Sequence, residues 1–240
     1  MIRPLPTSLL LIGTIAGALV TDADAQRRRR PRPEVKLEHL TYAEKSFESE
    51  ALERETKYGV FLPKGYDDEK NAERKYPLIL WLHGMWEDHN RFQYRGGAPV
   101  LDQLVGEGAL PECVFVTANG SRSSFYINGK KTGKYEDLIA KDLIQHVDAT
   151  YRVTKDRAQR ALMGVSMGGF GALKIALRYP KLFGVVAAHS AALLPADSEN
   201  LPRNLRRARM KVAIIRDHLT TQKKRRSIWV CLCLPVQPVS

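Results

Sequence analysis

Gly164-Val165-Ser166-Met167-Gly168, followed at once by Gly169 and Gly171, is the stretch whose reading decides the fold. Ahead of it, Arg160-Ala161-Leu162-Met163 is a short apolar run with strand character. Behind it, Gly169 to Tyr179 places apolar residues at helical spacing and stops at Pro180. A G-x-S-x-G pentapeptide in the order strand, sharp turn, helix reads as a nucleophile elbow. The serine is held in a strained backbone conformation, and small residues two before and two after it let strand and helix pass closely. Gly164 and Gly168 meet that steric demand. Without such flanks the same five residues read as a glycine-rich turn between two elements, so the flanks carry the assignment.

Working outward, Tyr76-Pro-Leu-Ile-Leu-Trp-Leu-His83-Gly84 is a continuous apolar run of strand length, the pattern of a strand buried on both faces of a parallel sheet. A polar loop from Met85 to Arg91 follows, then a helix from Gly97 to Val105. Glu112 to Asn119 reads as the next strand, and Gly120 to Gly133 as a loop rich in glycine and serine. Tyr135 to Tyr151 carries Leu138, Ile139, Leu143, Ile144 and Val147 at helical spacing and delivers the chain to the elbow strand. Leu182 to Ser190 is a further buried strand. Strands alternating with helices predict a mostly parallel, doubly wound α/β sheet whose site lies at the carboxyl ends of its strands. Ser166, the Gly84 loop and the Asn119 loop all fall at such ends. On the amino-terminal side, Tyr58 to Pro63 reads as a strand, and the polar segment from Pro31 to about Glu55 as an edge hairpin.

The ends of the 240-residue chain differ from its body. Arg3, an apolar run from Ser8 to Val20 and the small residues around Ala23-Asp24-Ala25 read as a secretory signal peptide over 1–25. The run is too short and too interrupted by Gly13, Thr14 and Gly17 to favour the competing reading of an uncleaved anchor. The net charge of +12 is concentrated rather than spread. Residues 27–36 hold six basic side chains against one acidic, net +5, and residues 203–226 hold ten against one, net +9, while residues 37–202 are balanced at −1. A basic face for nucleic acid is therefore not expected, and the charged segments read as solvated. The expected organisation is a signal peptide over 1–25, a basic and polar linker over 26–50, a hydrolytic-type α/β domain over 51–213 and an atypical basic tail over 214–240. Cys113 reads as a buried small hydrophobe. Cys231 and Cys233 lack partners at metal-site spacing, so neither metal nor cofactor is expected.

A serine hydroxyl needs a base to remove its proton, a group to orient that base and donors for the oxyanion that develops. The backbone N–H after the serine, here Met167, is one expected donor. The N–H of Met85, in the loop after His83-Gly84, is the other.

Leu82-His83-Gly84, Val116 to Gly120, Tyr135-Glu136-Asp137, Val147 to Arg152 and the elbow with Gly169-Phe170-Gly171-Ala172-Leu173 occur in an order that resembles the esterase family of α/β-hydrolases. That family includes feruloyl and acetylxylan esterases, S-formylglutathione hydrolase (esterase D) and mycolyltransferases. The resemblance covers roughly Leu52 to Leu194. It implies an α/β-hydrolase fold and carboxylic-ester hydrolysis through an acyl-serine, with Ser166 as nucleophile and the Met85 and Met167 amides as the oxyanion hole. The substrate it implies is a small-molecule or polysaccharide-linked ester. With the signal peptide, it points to a periplasmic or secreted protein with no membrane span once the signal is removed. The oligomeric state is open.

The family also places an acid and then a histidine after the serine, and here the sequence departs from it. After Ala196 about 44 residues remain, few for two more strand-helix units, and those from Thr220 to Ser240 do not resemble hydrolase sequence. His218 directly follows Asp217, and adjacent residues project in different directions, so the two make a poor base and orienter. His83 ends the Tyr76–Gly84 run at the start of the oxyanion loop, His89 falls in the same loop, read as exposed, His146 on a helix surface, and His189 at a strand end with Ser190. No role is assigned to Asp197. The catalytic acid and histidine are thus unassigned, the fold is expected to lack its last strand-helix units, and a non-catalytic binding module on the same fold is the alternative function.

Overall fold

The computed structural model describes residues 35–130, 132–193 and the backbone of a strand at 232–235. The sequence readings on residues 1–34, and those on Asp197, Asp217 and His218, lie outside the described residues. Among the described residues no helix is long and apolar enough to cross a membrane, and no group of three or more His, Cys, Asp or Glu side chains is placed to hold a metal ion.

The strands run β1 (Leu40–Ser49), β2 (Arg54–Pro63), β3 (Leu78–Leu82), β4 (Val114–Ala118), β5 (Asn128–Gly129), β6 (Gly133–Lys134), β7 (Arg160–Val165), β8 (Val185–His189) and β9 (Leu232–Pro235). The helices are α1 (Arg91–Tyr94), α2 (Gly97–Gly106), α3 (Tyr135–Asp137), α4 (Ile144–Thr150) and α5 (Met167–Arg178), and a π-helical stretch over Leu138–Leu143 joins α3 to α4. The main sheet has the order β1-β2-β4-β3-β7-β8-β9, with β5 and β6 forming a separate small ladder. Strands β4, β3, β7 and β8 are parallel, and β1, β2 and β9 pair antiparallel at the two edges. This is the mostly parallel α/β sheet that the alternation of apolar runs predicts. The polar segment from Pro31 to about Glu55, expected to form an edge hairpin by itself, instead supplies one strand, β1, whose antiparallel partner β2 contains the strand expected at Tyr58–Pro63. Beyond β8 the described residues add no further parallel strand. Four residues of the expected tail form β9 against β8.

Alternation along the strands divides the interior into two apolar layers. Leu78, Leu80, Leu82, Val114, Val116 and Leu162 face the layer that receives Leu138, Ile139, Leu143, Ile144 and Val147 from the α3–α4 segment and Phe170 and Ile175 from α5. Trp81 and Phe115 face the opposite layer, with Ala98 and Leu101 of α2. Cys113 is buried there, and burial raises its thiol pKa to about 12, as suits an inert small hydrophobe.

Two features fix how these layers meet. The first is the crossing of α5 over β3: a Cβ on Gly168 would overlap the backbone of Leu82 and His83, and one on Gly164 would overlap the backbone of Gly168 and Gly169. The second is Asp102 on α2. Its carboxylate accepts the successive backbone N–H groups of Glu38 at 2.8 Å, His39 at 2.9 Å and Leu40 at 2.8 Å, anchoring the start of β1 to the helix. Burial alone raises the pKa of this carboxyl, but the three N–H donations outweigh it and hold the pKa low.

Both features make predictions. Because the folded pKa of Asp102 lies below its unfolded value, its stabilisation is complete above the ordinary carboxyl pKa of about 4 and disappears as pH falls through the lower folded value. Asp102→Asn is expected to lose about 2 kcal/mol in urea denaturation at neutral pH, with the gap to the parent chain narrowing below about pH 4. An equal gap at pH 7 and pH 3 contradicts this account. Gly168→Ala, whose added methyl meets backbone rather than a yielding side chain, is expected to cost on the order of 3 kcal/mol or to prevent folding. A variant that unfolds within about 0.5 kcal/mol of the parent refutes the close crossing.

Candidate active site

The site is built where β3, β4, β7 and β8 end. Ser166 sits between β7 and α5 with φ 54° and ψ −114°, in the left-handed half of backbone space that a residue with a Cβ rarely enters. The strain is held by hydrogen bonds on both sides of the residue. The Ser166 N–H donates to the His189 carbonyl at 2.9 Å, and the Ser166 carbonyl accepts from Phe170 and Ala192, each at 3.0 Å. A Cβ on Gly84 would lie 3.7 Å from the Ser166 Cβ, so the loop after β3 reaches the elbow as expected.

That loop is fastened peptide by peptide. The His83 carbonyl accepts the hydroxyl of Tyr126 at 3.2 Å, and the Gly84 N–H donates to Glu87 Oε2 at 3.0 Å. The fully buried His83 ring receives the Gly120 N–H on Nε2 at 2.9 Å. Nδ1 must then carry the proton, and it donates to the Gly84 carbonyl at 2.7 Å. Burial pushes the His83 pKa down, so the ring is a neutral strut and not a proton acceptor for Ser166. A trans peptide points its N–H opposite its carbonyl, so the bond to the Gly84 carbonyl also sets the direction of the Met85 N–H. The Trp86 N–H donates to the Arg122 carbonyl at 2.8 Å. Among the described residues, no acceptor takes up the Met85 N–H. The Met167 N–H lies in the first turn of α5, where helical N–H groups have no intrahelical acceptor. The loop and the elbow that sequence reading singled out therefore converge, each with an amide left over.

The other described histidines lie elsewhere or meet Ser166 through the backbone. His146 stacks on Phe47 at a centroid distance of 4.7 Å and pairs with the Tyr58 hydroxyl at 2.9 Å, and burial lowers its pKa. His89, expected on an exposed loop, is buried: its Nε2 lies 2.8 Å from Glu44 Oε2, and its Nδ1 is shut off from solvent, where no substrate reaches it. The loop folds back on β1 because Glu44 and the Tyr42 hydroxyl hold the neighbouring Asn90. His39 precedes the first residue of β1, whose partner Pro63 ends β2, at the opposite end of the sheet from Ser166. His189 holds Ser166 through its carbonyl, and its side chain is exposed. Neighbouring Ser190 has φ 48°.

Sequence reading missed Tyr126 and Glu87. Tyr126 is fully buried with φ 51°, and its ring fills the space that Cβ atoms on Gly120 and Gly171 would occupy. Those two glycines were the available signal, but nothing in the sequence pairs residues so far apart with one tyrosine. Glu87 looks like one polar residue in a polar loop; only the fold aims its carboxylate back at Gly84.

Comparison with known proteins identifies the family. A family model described as "Putative esterase" matches residues 49–231. The chain is 29% identical over 153 residues to an endo-1,4-beta-xylanase/feruloyl esterase of Xylanibacter ruminicola, covering 62% of this chain and 21% of that protein. It is 27% identical over 173 residues to an acetyl esterase of Caldicellulosiruptor saccharolyticus, covering 68% of this chain and 60% of that one. A solved ferulic acid esterase superposes with a TM-score of 0.60 at 31% identity, over 69% of this chain and 63% of its own. The chain thus spans between about a fifth and three fifths of the length of these curated relatives. An α/β-hydrolase sheet, a strained serine between β7 and α5 and a family match across most of the described residues lead to one conclusion: the chain belongs to this esterase family.

Proposed function

We propose that this chain is a carboxylic-ester hydrolase in which Ser166 is the nucleophile and the Met85 and Met167 amides form the oxyanion hole. The observation that carries the proposal is the strained Ser166 backbone at the β7–α5 turn, with Gly164 and Gly168 permitting it and the Gly84–Met85 loop brought against it. Such strain persists only where surrounding structure imposes it, and here it lifts a hydroxyl above the strand ends. In the reaction, Ser166 Oγ bonds to the ester carbonyl carbon as its proton passes to solvent, which later protonates the departing alcohol oxygen, and the carbonyl oxygen becomes an oxyanion within reach of two amides. Collapse expels the alcohol and leaves an acyl-serine, which water then hydrolyses. One such donor is worth on the order of 3 kcal/mol in the transition state. The activities for which the relatives are named, on feruloyl and acetyl esters, favour a small-molecule or polysaccharide-linked ester as substrate. Export to the periplasm or the exterior belongs to the same reading and rests on residues 1–25.

The base is the weak point. Among the described histidines, His83, His89 and His146 are engaged elsewhere, His39 lies at the far end of the sheet, and His189 meets Ser166 through its backbone. We therefore propose that the described residues by themselves supply only the acceleration that oxyanion stabilisation and binding give without a base, roughly 10³–10⁴ over water, so that turnover is slow. The same observation favours a second reading, a non-catalytic binding module that retains the pocket.

Hydrolysis of a chromogenic acetate and labelling by a fluorophosphonate, each with Ser166→Ala as control, test both readings. Slow labelling and slow turnover, both abolished by Ser166→Ala, are expected. Absence of any Ser166-dependent signal leaves the binding module. Rapid Ser166-dependent turnover keeps the esterase assignment but shows an effective base within the chain, overturning the slow-turnover reading.

A further inference from the structure

The Gly84–Met85 loop holds a charged group that the reaction itself does not call for. Glu87 is an ionisable side chain only 10% exposed, and its Oε2 accepts the Gly84 N–H at 3.0 Å. Its other oxygen, Oε1, is paired with Arg91 Nε at 3.1 Å and with the Arg95 guanidinium. A bare carboxylate beside a developing oxyanion opposes it, whereas one carboxylate held by two guanidiniums leaves the cluster with a net positive charge. The cluster therefore has two effects on one loop, one geometric and one electrostatic.

We propose that Glu87 is a positioning residue for the oxyanion hole, its carboxylate fixing the His83–Gly84 peptide while Arg91 and Arg95 lock and neutralise it. The geometry is complete around the expected donor. The His83–Gly84 peptide is held at its carbonyl by the Tyr126 hydroxyl and at its N–H by Glu87, and the Trp86 N–H is held by Arg122. Trp86 has φ 67°, so the chain between these anchors is in a conformation it leaves when an anchor is lost. Removing the Glu87 acceptor strands the Gly84 N–H in a largely buried position. A peptide rotation that finds it a new partner carries the next peptide, and with it the Met85 N–H, out of line.

This inference rests on the assignment of Ser166 as nucleophile and Met85 as donor, so the test uses a probe that reports each separately and does not require turnover. An aryl trifluoromethyl ketone accepts Ser166 Oγ at its carbonyl carbon, the serine proton passing to solvent, and gives a hemiketal oxyanion observed by ¹⁹F NMR. The parent chain is expected to form the adduct and Ser166→Ala none. Glu87→Ala is expected to bind the ketone at least tenfold more weakly, and Glu87→Gln, which keeps an acceptor for Gly84, to recover most of that loss. Arg91→Gln/Arg95→Gln, which leaves the carboxylate unpaired, is expected to raise the pKa of the hemiketal oxyanion, a shift that loss of packing alone does not produce. Tight adduct formation by Glu87→Ala overturns the proposal while leaving the Ser166 assignment intact. An unchanged adduct pKa in the double arginine variant overturns its electrostatic half even if Glu87→Ala fails to fold. Absence of an adduct in the parent chain removes the Ser166 assignment and the proposal with it.

Discussion

The architecture depends on the close passage of α5 across the end of β3. Gly168 lies where any Cβ would overlap the Leu82 and His83 backbone, and Gly164 lies where any Cβ would overlap Gly168 itself. Because two backbones approach without side chains between them, the residue at the intervening turn is forced to positive φ, and that residue is Ser166. The same crossing brings the loop after β3 to the elbow. One steric constraint thus places the hydroxyl and the neighbouring loop together, and the energy that holds the strained turn comes from the apolar layers on both faces of the sheet.

Strain is not scattered through the chain. Among the described non-glycine residues with positive φ, Trp86, Ser121, Phe125, Tyr126, Ser166 and Ser190 all follow strands at their carboxyl ends, while Glu53 sits in the β1–β2 turn. Each of the loops after β3, β4, β7 and β8 contributes at least one. Fully buried groups then lock these loops to each other: His83 bridges Gly84 and Gly120, and the Tyr126 hydroxyl reaches the His83 carbonyl. The result is a rim of loops fastened to one another by buried side chains.

Carboxylates do much of the long-range fastening. Asp102 ties β1 to α2, Asp142 accepts the Ser49 hydroxyl at 2.6 Å and the Ala51 N–H at 2.8 Å in the β1–β2 turn, and Asp148 pairs with Arg160 at the start of β7. Glu136, fully buried at the start of the α3–α4 segment, pairs with Lys174 on α5. Burial lowers the pKa of that lysine while the carboxylate opposes the shift. Each carboxylate is acceptor-only, and each meets donors that the local chain cannot satisfy by itself. These four acidic residues of a nearly neutral body are in this way joints between elements.

By itself, the sequence determined the parallel core, because a strand buried on both faces must be apolar along its whole length and a helix on it apolar at every third or fourth residue. It also determined the elbow, because only glycine fits two residues either side of a serine at so close a crossing. Those are local patterns, legible at Leu78–Leu82, Val114–Ala118 and Gly164–Gly168 without knowing what they touch. The fate of polar side chains was not legible, because a hydrogen-bond partner is chosen by distance in space and not by spacing in the chain. The residues that now meet at Gly84, namely His83, Glu87, Tyr126 and Gly120, span the loops after two strands. His89 shows the same limit, since a polar residue in a polar loop became buried once Glu44, 45 positions away, supplied its partner. Only the tertiary structure could decide those pairings, and they decide how the loop after β3 is held against Ser166.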